Sequence, residues 1–115
     1  MELPLQITWR NLDKSPAVEE DIRTRADKLN EFHDRIVSCR VVVEASHRSH
    51  HKGNLFRVRI DVKVPERELV VTRDPGDEHE HEDLYVTVRD AFDAMNRQLK
   101  EAASAQNGRR RASST

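Results

Sequence analysis

The segment from Phe56 to Val64 alternates without a break. Phe56, Val58, Ile60, Val62 and Val64 are apolar, and Arg57, Arg59, Asp61 and Lys63 between them are charged. Successive side chains of a strand point to opposite faces, so this run predicts a strand with one buried and one solvated face. A sheet built from such strands needs a cover on one side only. That cover has to come from helices elsewhere in the chain.

Two further stretches share the period of two. Leu5, Ile7 and Trp9 alternate with Gln6, Thr8 and Arg10, and Val37, Cys39, Val41, Val43 and Ala45 alternate with Ser38, Arg40, Val42 and Glu44. Ser46 to Asn54 is polar and predicts a hairpin loop. After the tight connection Pro65-Glu66-Arg67, residues Leu69 to Arg73 predict a short fourth strand. Elsewhere the period changes. Ser15 suits a helix N-cap, and Pro16 suits the first helical position, where its missing N–H costs nothing. Val18, Ile22, Ala26 and Leu29 then share one stripe at about 100° per residue, which predicts a helix to about His33. Phe32 lies at the edge of that stripe, and Ile36 opens the next strand. Asp74 to Asp83 is a loop whose last residue, or a near neighbour, can cap a second helix. Leu84, Val88, Ala91, Phe92, Met95, Leu99 and Ala102 form the apolar face of that helix.

The element order is therefore β-α-β-β-β-α. A helix between the first two strands permits a parallel crossover, and the remaining strands can form an antiparallel meander. The predicted fold is an α+β two-layer sandwich, a four-stranded sheet with both helices on one face. It resembles a double-stranded-RNA-binding domain with an extra first strand. With 115 residues the chain suffices for one domain. We assign residues 1–103 to it and read 104–115, which contains Arg109-Arg110-Arg111, as a disordered basic tail.

Charge does not announce a partner. The 20 basic and 21 acidic residues give a formal net charge of −1, but segregated signs can still build a local basic stripe. The single cysteine, Cys39, rules out an intramolecular disulfide and fits a reducing compartment. No apolar run is long enough to span a membrane, so neither a membrane nor a lipid partner is expected, and the expected location is cytoplasmic. With three glycines the chain offers no phosphate-binding glycine loop, and no nucleophile–base set is recognisable. Neither an enzymatic activity, a cofactor nor a small-molecule substrate is expected.

Three groups of residues can carry chemistry. The first lies on the helices: Arg25, Lys28 and Arg35 flank the first apolar stripe, and Arg89, Arg97 and Lys100 lie opposite the second. Exposed lysines and arginines attract phosphates irrespective of sequence, and helical RNA is read by shape and backbone. The alternative is a solvated face with local ion pairs, which the i, i+4 spacing of Arg89, Asp93 and Arg97 would support. The second group is histidine-rich. His47, His50 and His51 share one loop with Arg48 and Lys52, and His79 and His81 alternate with acids in another. Such loops can be solvated, can contact RNA through Arg48, His50, His51 and Lys52, or can bind a metal. Without a regular ligand spacing, no metal is expected. The third group, Cys39, Trp9 and Phe56, sits on the apolar phase of its strands and reads as core.

Several motifs then point one way. Ser15-Pro16-Ala17 opens the first helix, followed by the Lys28-Leu29-x-x-Phe32 spacing. Val62-Lys63-Val64-Pro65 ends the third strand. His81-Glu82-Asp83-Leu84-Tyr85 enters the second helix, and Arg97-Gln98-Leu99 lies near its end. This ordered set resembles the ribosome hibernation-promoting factors, also called ribosome-associated inhibitors or subunit interface proteins. The likeness covers about residues 5 to 103 and, in length, resembles the short form without a second domain. It implies a non-enzymatic partner of the small ribosomal subunit and its rRNA, monomeric off the ribosome. Such a protein binds near the decoding sites and excludes tRNA and mRNA under stress or in stationary phase. It also directs attention to Arg25, Lys28, Arg89, Arg97 and Lys100 as the RNA-binding set. Ala94 stands where the family pattern carries a basic residue. The reading that competes with this one is a protein-interaction domain using its open sheet face or edge, or a metal-binding protein using the histidine loops.

Overall fold

The structure, a computed structural model, describes residues 4–46, 55–73 and 84–113. The chain runs β1 (Leu5–Arg10), α1 (Pro16–Phe32), β2 (Ser38–Ser46), β3 (Leu55–Val64), β4 (Arg67–Arg73) and α2 (Leu84–Ser113). The four strands form one sheet in the order β1-β2-β3-β4. β1 and β2 are parallel, as a helical crossover allows, whereas β2–β3 and β3–β4 are antiparallel.

Register carries the alternation of the sequence across the sheet. Ile7 pairs with Val41, Val41 with Ile60 and Ile60 with Val71. That row points to the helices, and all of its members except Ile7 are buried. One residue along, Thr8 pairs with Val42, Val42 with Arg59 and Arg59 with Thr72, on the opposite face. A slip of one residue in any strand would exchange the faces, so the pattern fixes the register.

α1 begins where the sequence places it. The Ser15 hydroxyl accepts a hydrogen bond from the Val18 N–H at 3.3 Å, and Pro16 occupies the first turn. Glu19 braces this end, with Lys14 and Arg23 each 3.1 Å away. Those two cations hold its carboxyl below the usual carboxylate range. Asn11, at φ 62°, turns the chain out of β1 in the left-handed region that asparagine tolerates better than most residues.

Both helices cover the same face of the sheet. Val18, Ile22, Ala26 and Leu29 of α1 and Val88, Ala91, Phe92, Met95 and Leu99 of α2 form one core with Cys39, Val41, Val43, Val58, Ile60, Val62, Leu69 and Val71. Trp9 is half-buried against this core, and Phe56 is half-buried on the same phase as Val58. Ala94 is 6% exposed, so it adds to the core and not to the helix surface.

Two features differ from the sequence reading. α2 does not stop near Ser104 but continues as helical backbone to Ser113. Ala102, Ala103, Ala105 and Gln106 are good helix formers, as are the arginines at 109–111, and Gly108 alone does not outweigh them. Phe32, placed at the edge of the apolar stripe, is 75% exposed. It is the last residue of α1 and lines the groove between the two helices.

Candidate nucleic-acid interface

The helical layer brings the sequence-derived cations together in part. Arg25 and Lys28 lie about one turn apart on the α1 flank that faces α2. With Phe32 they border a groove of about 200 Å³ whose far wall is Asp93 and Asn96 and whose apolar lining is Leu29 and Phe92. Arg89 and Arg97 stand one turn to either side of Asp93, and Lys100 stands one turn beyond Asn96. Arg25 and Lys28 thus line the inter-helix groove itself, while Arg89, Arg97 and Lys100 lie within a turn of its α2 wall; Lys28, Arg89, Arg97 and Lys100 are exposed and Arg25 is half-buried.

Their pairing bears on whether this face is merely solvated. Arg25 donates through Nε to Asp21 at 3.0 Å, which pins its stem against α1. Arg89 lies 3.5 Å from Asp90, a long contact between exposed groups. Asp93 forms no ion pair with Arg89 or Arg97 among the described residues, so the i, i+4 pairing that the spacing allows is not made. Lys28, Arg97 and Lys100 likewise have no ion-pair partner among the described residues. The groove rim thus carries more positive than negative charge and holds donors available to an anionic partner. Arg35 drops out of this set. It lies past the end of α1 and pairs with Glu66 in the turn between β3 and β4.

One contact was not legible beforehand. The ring Nε2 of His33, the residue capping α1, is 2.8 Å from Oδ1 of Asn96 on α2. It ties the end of α1 to the α2 wall of the groove, to which Asn96 itself belongs. His33 ends the apolar periodicity and Asn96 lies off the α2 stripe, so only their polarity marked them.

Arg48, His50, His51 and Lys52 lie outside the described residues, as do His47, His79 and His81. Among the described residues no three His, Cys, Asp or Glu side chains are grouped to hold a metal ion, and no helix is long and apolar enough to cross a membrane. Cys39 is buried beneath the helices, and its thiol is pushed up to about 12 by burial and, secondarily, by the charge of Asp61.

The comparison with known protein families decides the assignment. The family model described as Sigma 54 modulation protein / S30EA ribosomal protein matches residues 5–107, from β1 into the last third of α2. The chain belongs to this family. It is the hibernation-promoting group whose motifs the sequence resembles, and it places the protein among ribosome-associated modulation factors. No curated protein sequence gives a significant match. Solved structures share the S30EA fold. A ribosomal subunit interface protein from Coxiella burnetii superposes with a TM-score of 0.72 at 19% identity, covering 89% of this chain and 99% of that one. The N-terminal domain of Protein Y from Thermus thermophilus gives a TM-score of 0.60 at 22% identity, covering 88% of this chain and 98% of that one. At such identities the likeness concerns architecture, and within the S30EA fold the basic groove has to be argued from this chain's own residues.

Proposed function

We propose that this S30EA protein is a translation inhibitor of hibernating ribosomes. It binds small-subunit rRNA with the helical layer and blocks tRNA and mRNA near the decoding sites under stress or in stationary phase. The observation that carries this reading is the groove between α1 and α2. Arg25 and Lys28 line it, Arg89, Arg97 and Lys100 lie within a turn of its α2 wall, and among the described residues Asp93 in that wall pairs with none of them. Side chains of this kind meet phosphates by charge and need no base code, which suits the backbone of structured RNA. Family membership supports the ribosome as partner, and the likeness to the Coxiella subunit interface protein supports a site at the subunit interface. Ribosome association in turn implies the cytoplasm.

The protein acts here as a monomeric obstacle and not as a catalyst, without cofactor or small-molecule substrate. Cosedimentation with isolated small and large subunits over a salt series tests the reading, alongside peptide synthesis in a reconstituted system. The expected result is salt-sensitive pelleting with small subunits and inhibition at stoichiometric protein. Protein that stays in the supernatant with vacant small subunits at low salt overturns it.

A further inference from the structure

The sheet face turned away from the helices carries a second concentration of cations. Register sets Arg10 opposite Glu44 and Glu44 opposite Arg57, in one row across β1, β2 and β3. Further along the strands, Arg40 and Asp61 are opposite each other, and Arg59 lies between the two rows on β3. These six side chains border a shallow trough of about 320 Å³. Among the described residues, four guanidinium groups and two carboxylates line the trough, on a protein whose net charge is −1. Asp61 is the more enclosed partner of its pair. It accepts from Arg59 Nε at 2.9 Å, which orients the arginine and leaves its terminal N–H groups toward the trough.

The chemistry of the trough selects among partners. A protein segment would be anchored by large apolar side chains seated in pockets, and among the described residues the apolar lining here is Val42 alone. Arginine forks match phosphate oxygens in pairs, and planar guanidinium groups on a rigid sheet lose little freedom when they do so. We propose that this trough is a second RNA-backbone site, so that the domain holds RNA on two opposite faces. The Cα positions extend only 17 Å along the shortest axis, so two RNA segments on either side would be drawn within about one duplex width of each other. This site shares the ribosomal partner with the helix-side groove but none of its residues, so the two can fail separately.

The test uses the full chain carrying Arg10→Gln, Arg40→Gln and Arg59→Gln together. Probes are isolated small subunits, a protein-free RNA duplex, and a bridging assay in which an immobilised duplex captures a second, fluorescent one through the protein. All three positions are exposed, and circular dichroism confirms the fold. The single variants Arg10→Gln and Arg40→Gln replace the triple one if it melts early. The expected result is at least tenfold weaker small-subunit binding near 0.1 M salt, a salt slope lower by roughly 0.7–0.9 for each phosphate no longer neutralised, and no bridging. Arg97→Glu with Lys100→Glu should also abolish bridging, while that variant still binds one duplex through the trough. A folded sheet variant with the parent's affinity, slope and bridging overturns the proposal. Weakened binding to intact subunits with unchanged duplex binding and bridging also overturns it, and assigns the trough to an acidic protein surface.

Discussion

His33 Nε2 lies 2.8 Å from Asn96 Oδ1, so the residue that caps α1 is tied to the middle of α2. The two atoms are within hydrogen-bonding distance, the amide oxygen accepting when the imidazole carries its proton on Nε2. The backbone N–H of His33 closes α1 on Leu29 O at 2.9 Å. One residue therefore ends a helix and sets its distance to the next.

The first prediction follows from that pair. Asn96→Ala should leave the fold intact and cost about 1 kcal/mol, the usual net worth of one such hydrogen bond. For a domain of this size that is roughly a 4 °C fall in Tm. His33→Ala should cost a similar amount, and the double variant should cost less than the two together, because both remove the same bond. Additive losses in thermal melts would show that the contact contributes nothing to stability.

Val58 is fully buried at the centre of the sheet, opposite Val43 and beneath both helices. Val58→Asp puts a carboxylate with no partner into that core. The cost should exceed about 4 kcal/mol, enough to lose the cooperative melt. Arg59→Asn, one residue along on the open face, should melt within about 1 kcal/mol of the parent. Equal stability of the two variants would refute the assignment of faces.

Arg97 and Lys100 are exposed on α2 and have no ion-pair partner among the described residues. Arg97→Glu with Lys100→Glu should strongly weaken pelleting with small subunits while circular dichroism and Tm stay close to the parent. Neutral single substitutions should lower the salt slope by roughly 0.7–0.9 each and weaken binding to different RNA sequences alike. A folded double variant that binds as tightly as the parent would exclude these two residues from the interface.

The Cys39 thiol, pushed up to about 12, stays protonated in the folded protein where an unfolded chain, near 9, would ionise. Stability should therefore be independent of this group below pH 9 and fall as pH rises from 9 towards 12, because the unfolded chain releases a proton that the folded one keeps. Cys39→Ala should remove that part of the fall. At about pH 8, a thiol reagent should label the protein only in denaturant. Rapid labelling of the native protein would contradict the buried placement.

The sequence by itself determined the elements and their faces. Strand and helix periods are local properties, so the alternation from Phe56 to Val64 and the stripe Val18–Ile22–Ala26–Leu29 fix which side of each element is buried. Ser15 and Pro16 marked where α1 starts through chemistry confined to a single turn. Basic residues on the helices were legible for the same reason, since a position off the stripe faces water. What only the tertiary structure decided depends on which distant residues become neighbours. Lys28 and Asn96 line one groove because α1 and α2 share a face of the sheet, and His33 finds Asn96 across 63 positions of chain. Arg35 left the candidate set because a turn 31 residues away supplied Glu66. On the open face, each arginine looked like the ordinary polar phase of its own strand. Strand order and register placed Arg10, Arg40, Arg57 and Arg59 together, and long-range pairing of that kind is carried by no local period.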